Sequence, residues 1–172
     1  MEELERGDDQ GAALLALYDR ALPQVYGYMA RRVPTAVVAE DLTAEVFLAA
    51  VRAVQEAKVE RMTVAWLIGV ARHKLVDHWR RAAREERALE LASDAPTAAD
   101  DWTDALDPGR AMTALASLGA HHQAALSLRY LDGLPVPEVA GLLDRTVHAT
   151  EALLVRARVA FRRAYEKGGD DG

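Results

Sequence analysis

The chain has 172 residues, 51% of them hydrophobic but only 6% aromatic, and no cysteine, which excludes disulfides, thiolate metal sites and thiol redox switches. Ala, Leu and Val dominate, a mix that favours helices over sheets, and no apolar run is long enough to span a bilayer. An all-α, soluble, cytoplasmic protein without direct membrane insertion is expected; the formal charge of −6 argues against nucleic acid only if it is evenly spread.

The charged start, MEELERGDDQ, is expected to fray. Residues 11–33 read as helical, with Leu14, Leu17, Val25 and Tyr28 inward and Pro23 as a kink or the first residue of a second segment. Pro34 ends the element, and Arg31 and Arg32 fall in its last turn, where solvated cations complement the helix dipole. The next helix carries a stripe of Leu42, Val46, Phe47, Ala50 and Val54, with Glu40 and Asp41 near its start. Those acids and Glu45 either complement the dipole or offer a docking face to a basic partner.

Residues 63–84, TVAWLIGVARHKLVDHWRRAAR, form the most informative stretch. Val64, Leu67, Ile68, Ala71, Leu75 and Trp79 share one side of a helix; Arg72, His73, Asp77, Arg80 and Arg84 share the other. Between positions 72 and 84 five cations oppose only Asp77. Residues 91–109 contain no Lys or Arg but include Asp94, Asp100, Asp101, Asp104 and Asp107, the composition of a flexible linker, with Trp102 and Leu106 as possible anchors.

A second compact helical unit follows. RAMTALASLG ends at Gly119 and AHHQAALSLRYLDG at Gly133. EVAGLLD, a turn at Asp144-Arg145-Thr146 and a long basic helix then give a helix-turn-helix silhouette, with Val139, Ala140, Leu143, Leu154, Ala157 and Phe161 as interior positions. Arg145, Thr146, His148, Thr150 and Glu151 would face a DNA groove; the alternative is a plain helical hairpin with a basic, solvated end. GGDDG reads as a disordered tail.

Five histidines do not make a metal site, since His73 and His78 lie on different faces and His121 and His122 are expected to diverge. No catalytic or phosphate-cradling motif appears, so neither an enzyme nor a cofactor is expected. Trp66 and Trp79 are either core or stacking platforms for unpaired bases.

EDLTAEVFLAAVRA followed by AWLIGVARHKLVDHWRR resembles domain 2 of the extracytoplasmic-function (group IV) sigma factors of bacterial RNA polymerase. LRYLDGLPVPEVAGLL followed by LLVRARVAFRR resembles their domain 4. The resemblance implies two small helical domains, 10–90 and 110–167, joined by an acidic linker over 91–109. It implies that Glu40, Asp41, Leu42, Glu45, Val46 and Phe47 dock on the β′ clamp helices of core polymerase. Arg61, Trp66, Arg72, His73, Lys74, His78, Arg80 and Arg81 would take the melted −10 element. Arg145, Thr146, His148, Thr150, Glu151, Arg156 and Arg158 would read the −35 element, and the preceding helices would meet the β flap. Promoter DNA, core polymerase and an anti-sigma factor are the implied partners.

The recognition stretch departs from the family pattern. His148, Glu151 and Leu153 stand where a glycine, a lysine and an arginine are usual, which removes two cations and adds an anion. The alternative reading is a helix-turn-helix regulator that binds duplex DNA by itself.

Overall fold

The computed structural model describes the backbone of residues 2–59, 61–89 and 106–170, and every regular element among them is helical. The chain forms two compact units, Met1–Leu75 and Val76–Gly172. The acidic stretch 91–105, with Trp102, lies outside the described residues.

In the first unit, α1 (Glu2–Ala30) buries Leu14, Leu17, Ala21, Val25 and Met29 at three- and four-residue steps. It begins at Glu2, so the expected frayed start is helical instead, and it runs through Pro23 without a break. Pro23 is exposed, so the carbonyl it orphans is on the wet side, and Gln24 Nε2 donates to the adjacent Arg20 carbonyl at 3.2 Å. Burial of Ala21 and Val25 on either side holds the helix together across the gap. The helix stops at Ala30, leaving Arg31 and Arg32 in the turn. Arg32 is not solvated as expected but 7% exposed: its Nη1 donates to the Tyr28 carbonyl at 2.9 Å and its guanidinium lies 3.8 Å from the Tyr28 ring centroid.

Thr35 caps α2 (Ala36–Gln55) by accepting from the Val38 N–H, and Ala39, Leu42, Val46, Ala50 and Val54 form its buried stripe. α1 and α2 pack on one another, with the Tyr18 and Phe47 rings meeting edge-on at 4.9 Å. Thr63 caps α3 (Val64–Leu89) through the Trp66 N–H at 3.1 Å. Leu67, Ala71 and Leu75 are its buried positions in this unit.

The second unit starts inside α3, where Val76, Trp79 and Ala83 are buried. α4 (Pro108–Ala116) has Pro108 in its first turn and Asp107 as its cap, accepting from the Arg110 N–H at 2.8 Å. α5 (Ala120–Leu126) passes directly into a π-helical turn, Ser127–Leu131, where the Asp132 N–H reaches back five residues to the Ser127 carbonyl. Gly133, at φ +69°, then reverses the chain. α6 (Val136–Leu143) leads to Asp144 in the left-handed region, and α7 (Val147–Asp170) continues through two glycines of the expected disordered tail. Leu115, Ala125, Leu126, Leu153, Leu154 and Ala157 form the core, flanked by Met112, Leu118, Val136, Leu143 and Phe161.

Candidate nucleic-acid and polymerase interfaces

The candidate docking residues on α2 divide between two faces. Leu42 and Val46 are buried in the core of the first unit, and Phe47 is half-buried against Tyr18, so the first two position the helix and cannot present side chains to a partner. Glu40 and Asp41 are exposed; Glu45 is half-buried, with its carboxylate 3.4 Å from Lys74 Nζ of α3. That ion pair joins one candidate of the docking set to one of the −10 set. Val37, Leu48 and Val51, which sequence reasoning passed over, are the large apolar residues α2 leaves exposed, Leu48 at 57%. Their three- and four-residue spacing relative to Asp41 and Ala44 was a readable signal of a second apolar face.

Arg61, in the bend before α3, and His73 and Arg81 on α3 are exposed, while Trp66, Arg72, Lys74, His78 and Arg80 are half-buried. The charged side expected from the three- and four-residue spacing is present, with one exception. Arg80 Nη2 donates to the Leu142 carbonyl at the end of α6, because Arg80 lies in the part of α3 that belongs to the second unit. Trp79, the open case, is core: 2% of it is exposed and its indole nitrogen is buried without an acceptor.

The helix-turn-helix is built from α6, a short turn and α7. Val139 and Ala140 are buried, allowing close approach of the two helices, and the Arg145 N–H bonds the Ala140 carbonyl across the left-handed Asp144. Thr146 caps α7 by accepting from the Ala149 N–H at 3.1 Å. Its candidates again divide. His148, Glu151, Arg156 and Arg158 are exposed, and Arg158 Nη1 donates to the Tyr130 hydroxyl at 3.2 Å. Thr150 is 0% exposed, its hydroxyl donating to the Thr146 carbonyl at 2.9 Å, so it is a core residue and not a groove reader. Leu153 is buried too, which takes one of the divergent positions out of the groove-facing set.

Arg145 and Arg80, drawn from the −35 and −10 sets, line one cleft of about 420 Å³ in the second unit, together with Arg84, Arg87 and His121. Glu86 of α3 caps α5: both its carboxylate oxygens accept from the Ala120 N–H at 3.0 Å, supplying the cap that Gly119 lacks. His121 and His122 do not diverge as expected; their ring centroids are 4.3 Å apart. Burial, then Arg145, Arg87 and Arg156, hold the His121 imidazole below its usual range, so the 3.9 Å approach of Glu86 to its Nδ1 is not an ion pair at neutral pH. Among the described residues no group of three His, Asp or Glu side chains is disposed to hold a metal ion.

Residues 17–85 match the family description Sigma-70 region 2, and residues 109–161 match Sigma-70, region 4. The chain is 34% identical to the ECF RNA polymerase sigma factor SigF of Caulobacter vibrioides, over 88% of this chain and 82% of that one. It is 32% identical to the ECF RNA polymerase sigma factor BldN of Streptomyces coelicolor over 91% of its own length, and spans 62% of BldN. A solved structure of the sigma factor RpoE, in complex with the anti-sigma factor NepR from Bartonella quintana, shares the fold with a TM-score of 0.53 at 18% identity, covering 87% of this chain and 94% of that one.

Proposed function

The chain belongs to the extracytoplasmic-function sigma factors of the sigma-70 family, and from that premise we propose that it gives core RNA polymerase its promoter specificity and opens the −10 region. The observation that carries this reading is the order of the two family matches, region 2 and then region 4, on the segments that hold the α2–α3 faces and the helix-turn-helix.

By the family pattern the domains would run over 10–90 and 110–167, with 91–109 between them, whereas the compact units of the fold part inside α3, after Leu75. The docking face on the β′ clamp helices is Glu40, Asp41 and Glu45, supplemented by the exposed Val37, Leu48 and Val51, a mixed acidic and apolar surface that desolvates cheaply at its centre. Arg61, Trp66, Arg72, His73, Lys74, His78 and Arg81 meet the separated −10 strand, cations on phosphates and rings on unstacked bases. Arg145, Thr146, His148, Glu151, Arg156 and Arg158 meet the −35 duplex, with the anion Glu151 lowering phosphate attraction there. The protein is a cytoplasmic binding subunit, not an enzyme: phosphoryl transfer belongs to the core, and the chain brings no cofactor of its own. Partnership with an anti-sigma factor follows from the family.

Reconstitution with core polymerase is the decisive experiment. Promoter-dependent transcripts should appear only with both components. Tight sequence-specific duplex binding by the chain alone, with no transcripts when core is added, would instead establish a free-standing regulator.

A further inference from the structure

Four arginine side chains line the cleft of the second unit, against one lining carboxylate, Asp144. Arg80, Arg84 and Arg87 follow one face of α3 at four- and three-residue steps, and Arg145 enters from the turn before α7. Arg84 and Arg87 are exposed and Arg80 and Arg145 half-buried, so the four cations share an open-mouthed hollow with a net positive lining. The effect reaches neighbouring groups: burial, then Arg87 and Arg156, hold Arg145 below the usual guanidinium range, and His121 stays neutral for similar reasons. Glu86, the carboxylate beside His121, is already engaged at the Ala120 N–H.

Three residues of the same wall also carry buried nitrogens without a partner: Trp79 Nε1, Arg80 Nε and His121 Nδ1. A polar group taken out of water and given no acceptor is destabilising until one arrives. The volume, about 420 Å³, falls in the range of small-molecule sites. A hollow of this size suits a compact ion better than the convex backbone of a duplex.

We infer that this cleft binds a small polyphosphate, a di- or triphosphate compound. Guanidiniums grip its oxygens in bidentate pairs, as phosphate and arginine geometry favours, and Trp79, which lines the same cleft, reports occupancy. Occupancy engages Arg80 and Arg145 together, so a bound polyphosphate competes with any contact of these two residues to promoter DNA. The inference goes beyond the sigma-factor reading and is tested without polymerase.

Inorganic pyrophosphate is the probe, titrated into the full free chain and followed by calorimetry, with the Trp79 indole N–H resonance observed in parallel. Saturable one-site binding is expected, with a shift of that resonance. Arg87→Ala combined with Arg145→Ala should weaken binding at least tenfold, whereas Arg163→Ala, exposed on α7 and outside the cleft, should leave it unchanged. If the double variant fails to fold, Arg87→Lys decides: it keeps the charge but not the planar fork, so reduced affinity supports the site and unchanged affinity removes it. An unmoved indole signal, an equal response to sodium chloride at matched ionic strength, or a response to duplex DNA but none to pyrophosphate would overturn the proposal.

Discussion

Ala57 closes α2 at φ 51°, a conformation that places its Cβ against the backbone. The Lys58 N–H bonds back to the Ala53 carbonyl, so the left-handed residue is part of the cap and cannot relax without undoing it. Ala57→Gly should therefore stabilise the protein by about 0.5–1 kcal/mol, seen as a higher midpoint in thermal unfolding; a lower midpoint would mean that unfolded-chain entropy outweighs the relief. His121 makes a second prediction. Neutral when folded, it takes up a proton near pH 6.5 when unfolded, so below that pH the unfolded chain binds a proton that the folded chain refuses. Stability should fall as pH drops through 6.5 toward the lower folded value, and then level off. The groups facing it are Arg87 and Glu86 of α3, Arg145 and Arg156 from the α7 side, and the His122 ring beside it. Denaturation midpoints between pH 7.5 and 5.5 should flatten in His121→Gln; an unaltered slope assigns the effect elsewhere. At this scale the sequence is least informative. Arg32 and Thr150 look like surface residues by type, and each is buried because a carbonyl four residues away, of Tyr28 and of Thr146, accepts its polar atom. Residue type does not reveal such back-bonding to the main chain.

Glu86 shows how one element terminates another. α5 has no side-chain cap of its own, and the α3 carboxylate supplies the acceptors from 34 positions away in sequence. Glu86→Ala should cost about 1–2 kcal/mol in chemical denaturation, the range of a lost cap. A Cβ at Gly119 would stand 3.2 Å from Glu86 Oε2, so any other residue there would require the carboxylate to give by a few tenths of an ångström. The helices themselves were legible from the three- and four-residue spacing of apolar residues: Leu67, Ala71, Leu75 and Trp79 are buried as that pattern requires. The helix-turn-helix interior was legible too, through Val139, Ala140, Leu154 and Ala157. The continuation of α1 through Pro23 was not, because a proline on the solvent side of a well-packed helix is tolerated where its local signal says break. The π-turn at Ser127–Leu131 was equally hidden, since one extra residue per turn leaves no mark on composition.

At the scale of the whole molecule, two adjacent cations of the candidate −10 set are not equivalent. Arg81 is exposed, whereas Arg80 is bonded to the Leu142 carbonyl. Arg81→Glu should lower open-complex formation on a promoter several-fold while leaving core affinity within about twofold, read by strand-reactivity footprinting beside a core-binding titration; parallel losses in both would point to docking or folding instead. The residues that carry the family resemblance end at Phe161, but the molecule's own fastening does not. Tyr165 accepts from the Asp107 N–H through its hydroxyl at 2.9 Å, its carbonyl takes the Arg110 guanidinium at 2.9 Å, and its ring lies under that same guanidinium. The place where the acidic stretch hands the chain over to α4 is thus latched by the last turns of α7. A chain cut after Phe161 would retain every residue of the region 4 match and still unlatch that handover, so α4 should show faster amide hydrogen exchange than in the full chain.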